Sequence, residues 1–177
     1  DVYKRQGDNI NGKKVYAVTK DAKVKIFNGK GLPKNYSHPL PIIPDADQIF
    51  TAGIIEDGQY LLLFSKQGQV IKIDPHTISG QGLAGSGVAG MKFRSNDDFA
   101  TAVIASDDDQ ILTQTKSSWK VTSVADLAVK GRGGLGVKIH DLNKDETITE
   151  AAAGSSFIVN SKKAEPTPVS YPHLTLP

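Results

Sequence analysis

Cysteine is absent from the chain, which rules out disulfide frameworks, zinc–thiolate sites, thiol nucleophiles and iron–sulfur clusters. That absence predicts a reducing, cytosolic setting. Long apolar runs are lacking too. The longest, Tyr60-Leu61-Leu62-Leu63-Phe64, falls far short of the ~18 residues a membrane-spanning helix needs, and it suits a buried strand. No segment shows a sustained apolar stripe at helical period, and residues 121–129 come nearest to a helix. Net charge is only +2 over 177 residues, so contact with a polyanion must rest on where the cations lie. Histidine is sparse: His38, His76 and His140 are scattered without a partner constellation. Neither a metal site nor a catalytic triad is predicted.

What is present suits a globular domain or a few units of a repeat protein, with 38% hydrophobic and 23% charged residues. Both ends read as foreign. Asp1-Val2-Tyr3-Lys4-Arg5-Gln6 is what a sequencing-library transposase adapter encodes. Residues 169–177, Val-Ser-Tyr-Pro-His-Leu-Thr-Leu-Pro, resemble the opposite strand of that adapter, with Pro172 in place of threonine. Residues 1–6 and 169–177 are therefore predicted to be tails on a fragment of a longer gene product, and they are set aside from fold reasoning.

Between the tails, one grammar recurs. Lys14-Val15-Tyr16-Ala17-Val18-Thr19, a turn at Lys20-Asp21-Ala22 and Lys23-Val24-Lys25-Ile26-Phe27 read as a hairpin. Residues 60–65, 66–68 and 69–73 repeat it, as do 110–115, 116–118 and 119–122. The shared kernel is Thr/Ser-Lys, a small turn residue, then valine: Thr19-Lys20 to Val24, Ser65-Lys66 to Val70, Thr115-Lys116 to Val121. A second kernel, acid-x-Ile/Phe-x-x-Ala, closes each unit at Asp47, Asp97 and Glu146, with spacings of 50 and 49. Two kernels recurring in step, with several short strands per unit, predict propeller-like blades. The blades run over about 13–58, 59–106 and 107–154, within a domain of residues 7–168. Residues 155–159 look like a further strand and 161–168 like a linker. The units differ most in their loops, proline-rich over 28–44 and glycine-rich over 79–88.

The third such loop is Lys130-Gly131-Arg132-Gly133-Gly134-Leu135-Gly136. It matches G-x-G-x-x-G from Gly131, as does the second loop from Gly80, but both lack the βαβ context a dinucleotide site requires. Asp107-Asp108-Asp109 lacks the alternating ligands of a calcium loop and reads as a polar turn.

Taken together, these features resemble the C-terminal β-pinwheel of the A subunit of bacterial type IIA topoisomerases, DNA gyrase and topoisomerase IV. The resemblance covers 13–160 and is strongest over 59–153. It is carried by Phe64-Ser65-Lys66-Gln67-Gly68-Gln69-Val70 and by the Gly-Val stretches Gly87-Val88-Ala89-Gly90-Met91 and Gly136-Val137-Lys138-Ile139. The gyrase box Gln-Arg-Arg-Gly-Gly-Lys-Gly is matched at Arg132, Gly133, Gly134 and Gly136. It is broken at Lys130, Gly131 and Leu135, so the box does not separate the two enzymes.

The resemblance implies an all-β partial pinwheel of about three four-stranded blades. It implies sequence-nonspecific binding, wrapping and bending of duplex DNA, in support of ATP-dependent strand passage. No catalytic residue, metal or cofactor is implied here, the DNA-cleaving tyrosine and ATP site lying elsewhere. Partners would be the rest of the topoisomerase A subunit, with the ATPase B subunit reached through it, in a bacterial cytoplasm at the nucleoid and not at a membrane. Arg132, Lys130 and Lys138 would meet phosphates, with Gly133, Gly134 and Gly136 allowing close backbone approach. Lys66, Lys72, Lys116 and Lys120 near the hairpin turns are secondary candidates. Leu135 is expected to pack against its blade. The alternative is a propeller serving as a protein–protein interaction scaffold.

Overall fold

The computed structural model describes residues 12–29, 47–78, 87–159 and 166–168. Residues 1–11, 30–46 with most of the proline-rich crossing, 79–86 of the glycine-rich loop, 160–165 and 169–177 lie outside the described residues. The fold is all-β. The sequence nearest to a helix, 121–129, instead continues a strand into a single 3-10 turn, Val124–Asp126.

Three hairpins form where the kernels predict them: β1 (Lys14–Thr19) with β2 (Lys23–Asn28), β4 (Gln59–Ser65) with β5 (Gln69–Ile73), and β8 (Gln110–Gln114) with β9 (Trp119–Ser123). The closing kernels open β3 (Ile49–Ile55) and β7 (Phe99–Ser106), which pair antiparallel with β1 and β4, and β11 (Glu150–Gly154) likewise pairs with β8. Each of the first two sheets then takes a fourth strand from the following unit. The second unit's β6 (Val88–Ala89) pairs with β2, Val88 opposite Val24, and the third unit's β10 (Val137–Lys138) pairs with β5, Val137 opposite Val70. The orders are β3-β1-β2-β6, β10-β5-β4-β7 and β11-β8-β9. Among the described residues the third sheet therefore has three strands, with β9 at its edge. Residues 166–168, read from sequence as linker, form a strand that pairs with Phe157–Val159.

The two kernels keep step because the second holds the turn of the first. The Asp47 carboxylate accepts from the Asp21 amide at 3.1 Å, and the Asp97 carboxylate accepts from the Gln67 amide at 2.9 Å. Backbone bonds clamp the same corners, Lys20 N to Gln48 O and Lys66 N to Asp98 O, both 2.8 Å. In the third unit the acid is one methylene longer, and Glu146 reaches the Thr115 hydroxyl and the Asn143 amide instead. That turn is also one residue shorter, so Trp119 faces Gln114 where Val24 faces Val18 and Val70 faces Phe64. Val121 is thus not the counterpart of the earlier valines.

The core follows from β4. Successive side chains on a strand point to opposite faces, so the apolar run divides between two interiors. Leu61 and Leu63, with Ile71 and Ile73, join a cluster with Val18, Val24 and Ile26 of the first sheet. Leu62 and Phe64, with Val70, join Ile111, Val124 and Leu127 of the third unit. Each of these β4 side chains is fully buried, a gain of about 1.5–3 kcal/mol apiece before chain entropy is counted. The second sheet is the filling between its neighbours, which is why its central strand is apolar throughout rather than alternating.

Candidate nucleic-acid interface

The loop over 130–136 lies against the edge of the second sheet and is stapled at both ends. It enters through a parallel bridge between Val129 and Lys72, with Lys130 N donating to Lys72 O at 2.8 Å. It leaves into β10. Midway it is tied to the segment after β6, by Gly133 N to Gly90 O at 2.8 Å, Lys92 N to Gly134 O at 2.9 Å and a parallel bridge between Met91 and Gly134. Two amides of the loop, those of Lys130 and Gly133, are thus committed to backbone carbonyls rather than open to a phosphate.

Gly136 is required by geometry: its φ is +73°, and a Cβ there would collide with the Val70 carbonyl oxygen. Gly133, at φ +80°, needs the same left-handed conformation. Gly134 has an ordinary contact distance of 3.6 Å to Ile71 Cδ1, and a Cβ at Gly131 would meet nothing within 4 Å. The first two glycines shape the turn, whereas Gly131 stands over open space.

The staple brings together two stretches without a single carboxylate, 87–96 and 127–140. They carry Lys92, Arg94, Lys130, Arg132 and Lys138, all exposed. Among the described residues Lys92, Arg94, Lys130 and Arg132 form no ion pair, while Lys138 lies 3.3 Å from Asp141 in a pair exposed on both sides. Sequence reasoning missed Lys92 and Arg94. The one sequence signal was their position just after the Gly-Val stretch of the second unit, Gly87–Met91.

The secondary candidates divide. Lys116 and Lys120 are exposed. Lys66 is exposed and lies 3.8 Å from Asp98, beside the acids that hold its turn. Lys72 is removed from the set. Only 3% of its side chain is exposed, and its ammonium donates to Asp107 at 2.6 Å, Val124 O at 2.9 Å and Leu127 O at 3.1 Å. It also sits 4.4 Å from the centre of the Tyr60 ring. An ammonium has three protons, and all three are spent on joining the second sheet to the third unit. Leu135 departs from expectation as well: it is exposed rather than packed against the blade.

Beside the loop, His140 is buried, with Nδ1 2.9 Å from the Thr113 hydroxyl and Nε2 3.1 Å from the Ser118 hydroxyl. Burial lowers its pKa, Lys120 lowers it further, and Glu146 and Asp141 oppose both. Hydroxyls flank the imidazole where a triad would place a carboxylate, so the group works as a pin. Its backbone is anchored to the second sheet, Ile139 N to Gly68 O at 2.9 Å, while its ring holds the third hairpin. In the acidic run, Asp107 is taken by Lys72 and Asp109 accepts from the Ser106 amide and hydroxyl.

Comparison with known proteins agrees with this architecture. Residues 59–107 and 120–153 match the family model described as the DNA gyrase C-terminal domain, beta-propeller. The chain is 35% identical over 153 residues to the topoisomerase protein TopoM of Mycolicibacterium smegmatis, covering 84% of this chain and 21% of that protein. It is 34% identical over 102 residues to the DNA gyrase A protein of Streptomyces coelicolor, covering 56% and 12% respectively. The chain thus spans about a fifth or less of the length of these relatives. Its fold superposes on the crystal structure of the C-terminal domain of DNA topoisomerase IV with a TM-score of 0.72 at 20% identity, over 88% of this chain and 51% of that one.

Proposed function

This chain belongs to the DNA gyrase C-terminal domain family of β-propellers, and on that premise we propose that it binds duplex DNA without reading its sequence and bends it for strand passage. The observation that carries the reading is that two stretches free of carboxylates, 127–140 and 87–96, are stapled together, with Lys92, Arg94, Lys130 and Arg132 in no ion pair among the described residues. Phosphate contact needs cations on a fixed backbone and no base-specific groups. Arg132 supplies a forked contact and the lysines supply point charges. Exposed Lys138, Lys116, Lys120 and Lys66 are counted as further phosphate contacts, while Gly133 and Gly136 shape the turn that presents the cations. Bending a 20–30 base-pair site costs on the order of 1–6 kcal/mol, so the load must be shared over many contacts.

In this reading the chain is one part of a topoisomerase A subunit, which works with an ATPase B subunit in the bacterial cytoplasm. The bond-breaking chemistry belongs to other parts of that assembly. The chain itself calls on no cofactor. The test is a salt titration of binding to duplexes of unrelated sequence. Each phosphate neutralised contributes about −0.9 to the slope of log K against log salt, so four contacts give roughly −3.6. Binding to every unrelated sequence with the same steep slope, the affinities differing only with duplex deformability, supports the proposal; no binding at low salt overturns it and leaves the interaction-scaffold alternative.

A further inference from the structure

Six large hydrophobic side chains stand exposed among the described residues, and three of them, Val129 (47%), Leu135 (42%) and Val137 (39%), fall within nine positions of the cationic loop. Three on the one segment that also carries the loop cations make that segment the place to look for a contact, whereas apolar residues exposed singly need no explanation. Leu135 is the one presented by the turn itself. It sits between Gly134, whose carbonyl is held by Lys92 N, and Gly136, whose backbone is pressed under the Val70 carbonyl. It is therefore an apolar side chain on a fixed mount, one position past two glycines and three past Arg132.

The surroundings select the occupant. A protein partner seated on this segment would have to supply carboxylates to Lys92, Arg94, Lys130 and Arg132, since 127–140 and 87–96 contain none. Duplex DNA meets both requirements at once, phosphates for Lys130 and Arg132 and the apolar base stack for a side chain between them. We infer that Leu135 is a wedge that enters the minor groove and partly unstacks a base step, so that the loop bends the duplex as well as holding it. This rests on the DNA-binding reading of the same loop. Inserted apolar side chains kink DNA by about 20–90°, and pyrimidine–purine steps yield most readily. The wedge therefore gives a protein without base-reading groups a preference for deformable sequence.

The test uses the 177-residue chain with Leu135→Ala and Leu135→Lys variants. The probes are end-labelled duplexes of about 30 base pairs carrying either a central TA step or a stiff A-tract. Affinity is read by salt titration and bending by energy transfer between the ends. The unsubstituted chain is expected to bend the TA duplex more and bind it more tightly. Leu135→Ala keeps the salt slope and loses both the bend and the preference. Leu135→Lys binds more tightly at low salt and still fails to bend. A Leu135→Ala chain that binds and bends as before overturns the wedge while leaving DNA binding intact. A shift in the oligomeric state of free Leu135→Ala, seen by sedimentation, overturns it in favour of a protein-facing patch. Failure of the unsubstituted chain to bind either duplex removes the DNA reading itself, and the wedge with it.

Discussion

Gly131→Arg offers a gain of function at the loop. A Cβ at Gly131 meets nothing within 4 Å, and its φ lies outside the left-handed region. The backbone therefore accepts a side chain without strain, and replacing a glycine in an ordinary conformation stabilises a fold by about 0.4–1 kcal/mol through the unfolded chain. The new guanidinium stands on the acid-free stretch between Lys130 and Arg132, with no carboxylate in 127–140 to neutralise it. One more phosphate contact steepens the salt slope by about 0.9, which at 0.1 M salt is an affinity gain of about eightfold relative to 1 M, where the ionic contribution vanishes. Fluorescence anisotropy on a labelled duplex across a salt series reads both quantities, with thermal melting as the control for folding. An unchanged slope in a protein that melts at or above the original temperature would show that this loop does not face phosphate, and it would refute the placement of the interface.

Three further outcomes follow from the same geometry. Lys72→Met keeps the stem over Tyr60 and removes three bonds. Asp107 is half exposed and rehydrates, and Val124 O keeps its bond from Leu127 N, so the loss centres on the Leu127 carbonyl. Urea unfolding should show a loss of about 2–3 kcal/mol with the DNA salt slope unchanged; an altered slope would put Lys72 back among the phosphate contacts. Gly136→Ala forces a Cβ into the Val70 carbonyl at positive φ and should cost at least about 2 kcal/mol, whereas Gly134→Ala, with ordinary contacts, should melt close to the parent. The His140 pKa is lowered in the fold, so the unfolded chain binds the extra proton. Stability is full above the unfolded value of about 6.5 and declines as pH falls toward the lowered folded value. His140→Gln should flatten that decline in melting curves taken between mildly acidic and neutral pH, and an undiminished pH dependence would move the titrating group elsewhere.

Much of the fold was legible because its signals are local. Hairpin strands announced themselves by β-branched and aromatic runs, and the Asp47 and Asp97 kernels recur because each carboxylate must meet a particular turn amide. The pairing of β6 and β10 with the sheets before them was not legible. Two-residue strands carry no periodicity, and Val88 pairs with Val24 across 64 positions. Lys72 read as a surface lysine because strand lysines usually are. Its register opposite Leu62, in a sheet covered on both faces, is what buries it, and that covering is a tertiary fact. Arg132 and Lys130 stood out through glycine context, whereas Lys92 and Arg94 became candidates only when the loop was seen folded onto them. Leu135 read as a core residue because leucine usually is, and nothing in its neighbours announces that the turn lifts it into solvent.

The loan of an edge strand from one unit to the preceding sheet also sets a schedule for synthesis. Val88 lies 60 positions after Asn28, the end of the strand it shields, and Val137 lies 64 after Ile73. A ribosome adding about 5–20 residues per second leaves each hairpin edge open for roughly 3–13 s before its cover emerges. Through that interval β2 and then β5 present unpaired amides and carbonyls to neighbouring nascent chains on the same message, each of which carries the same Gly-Val strand.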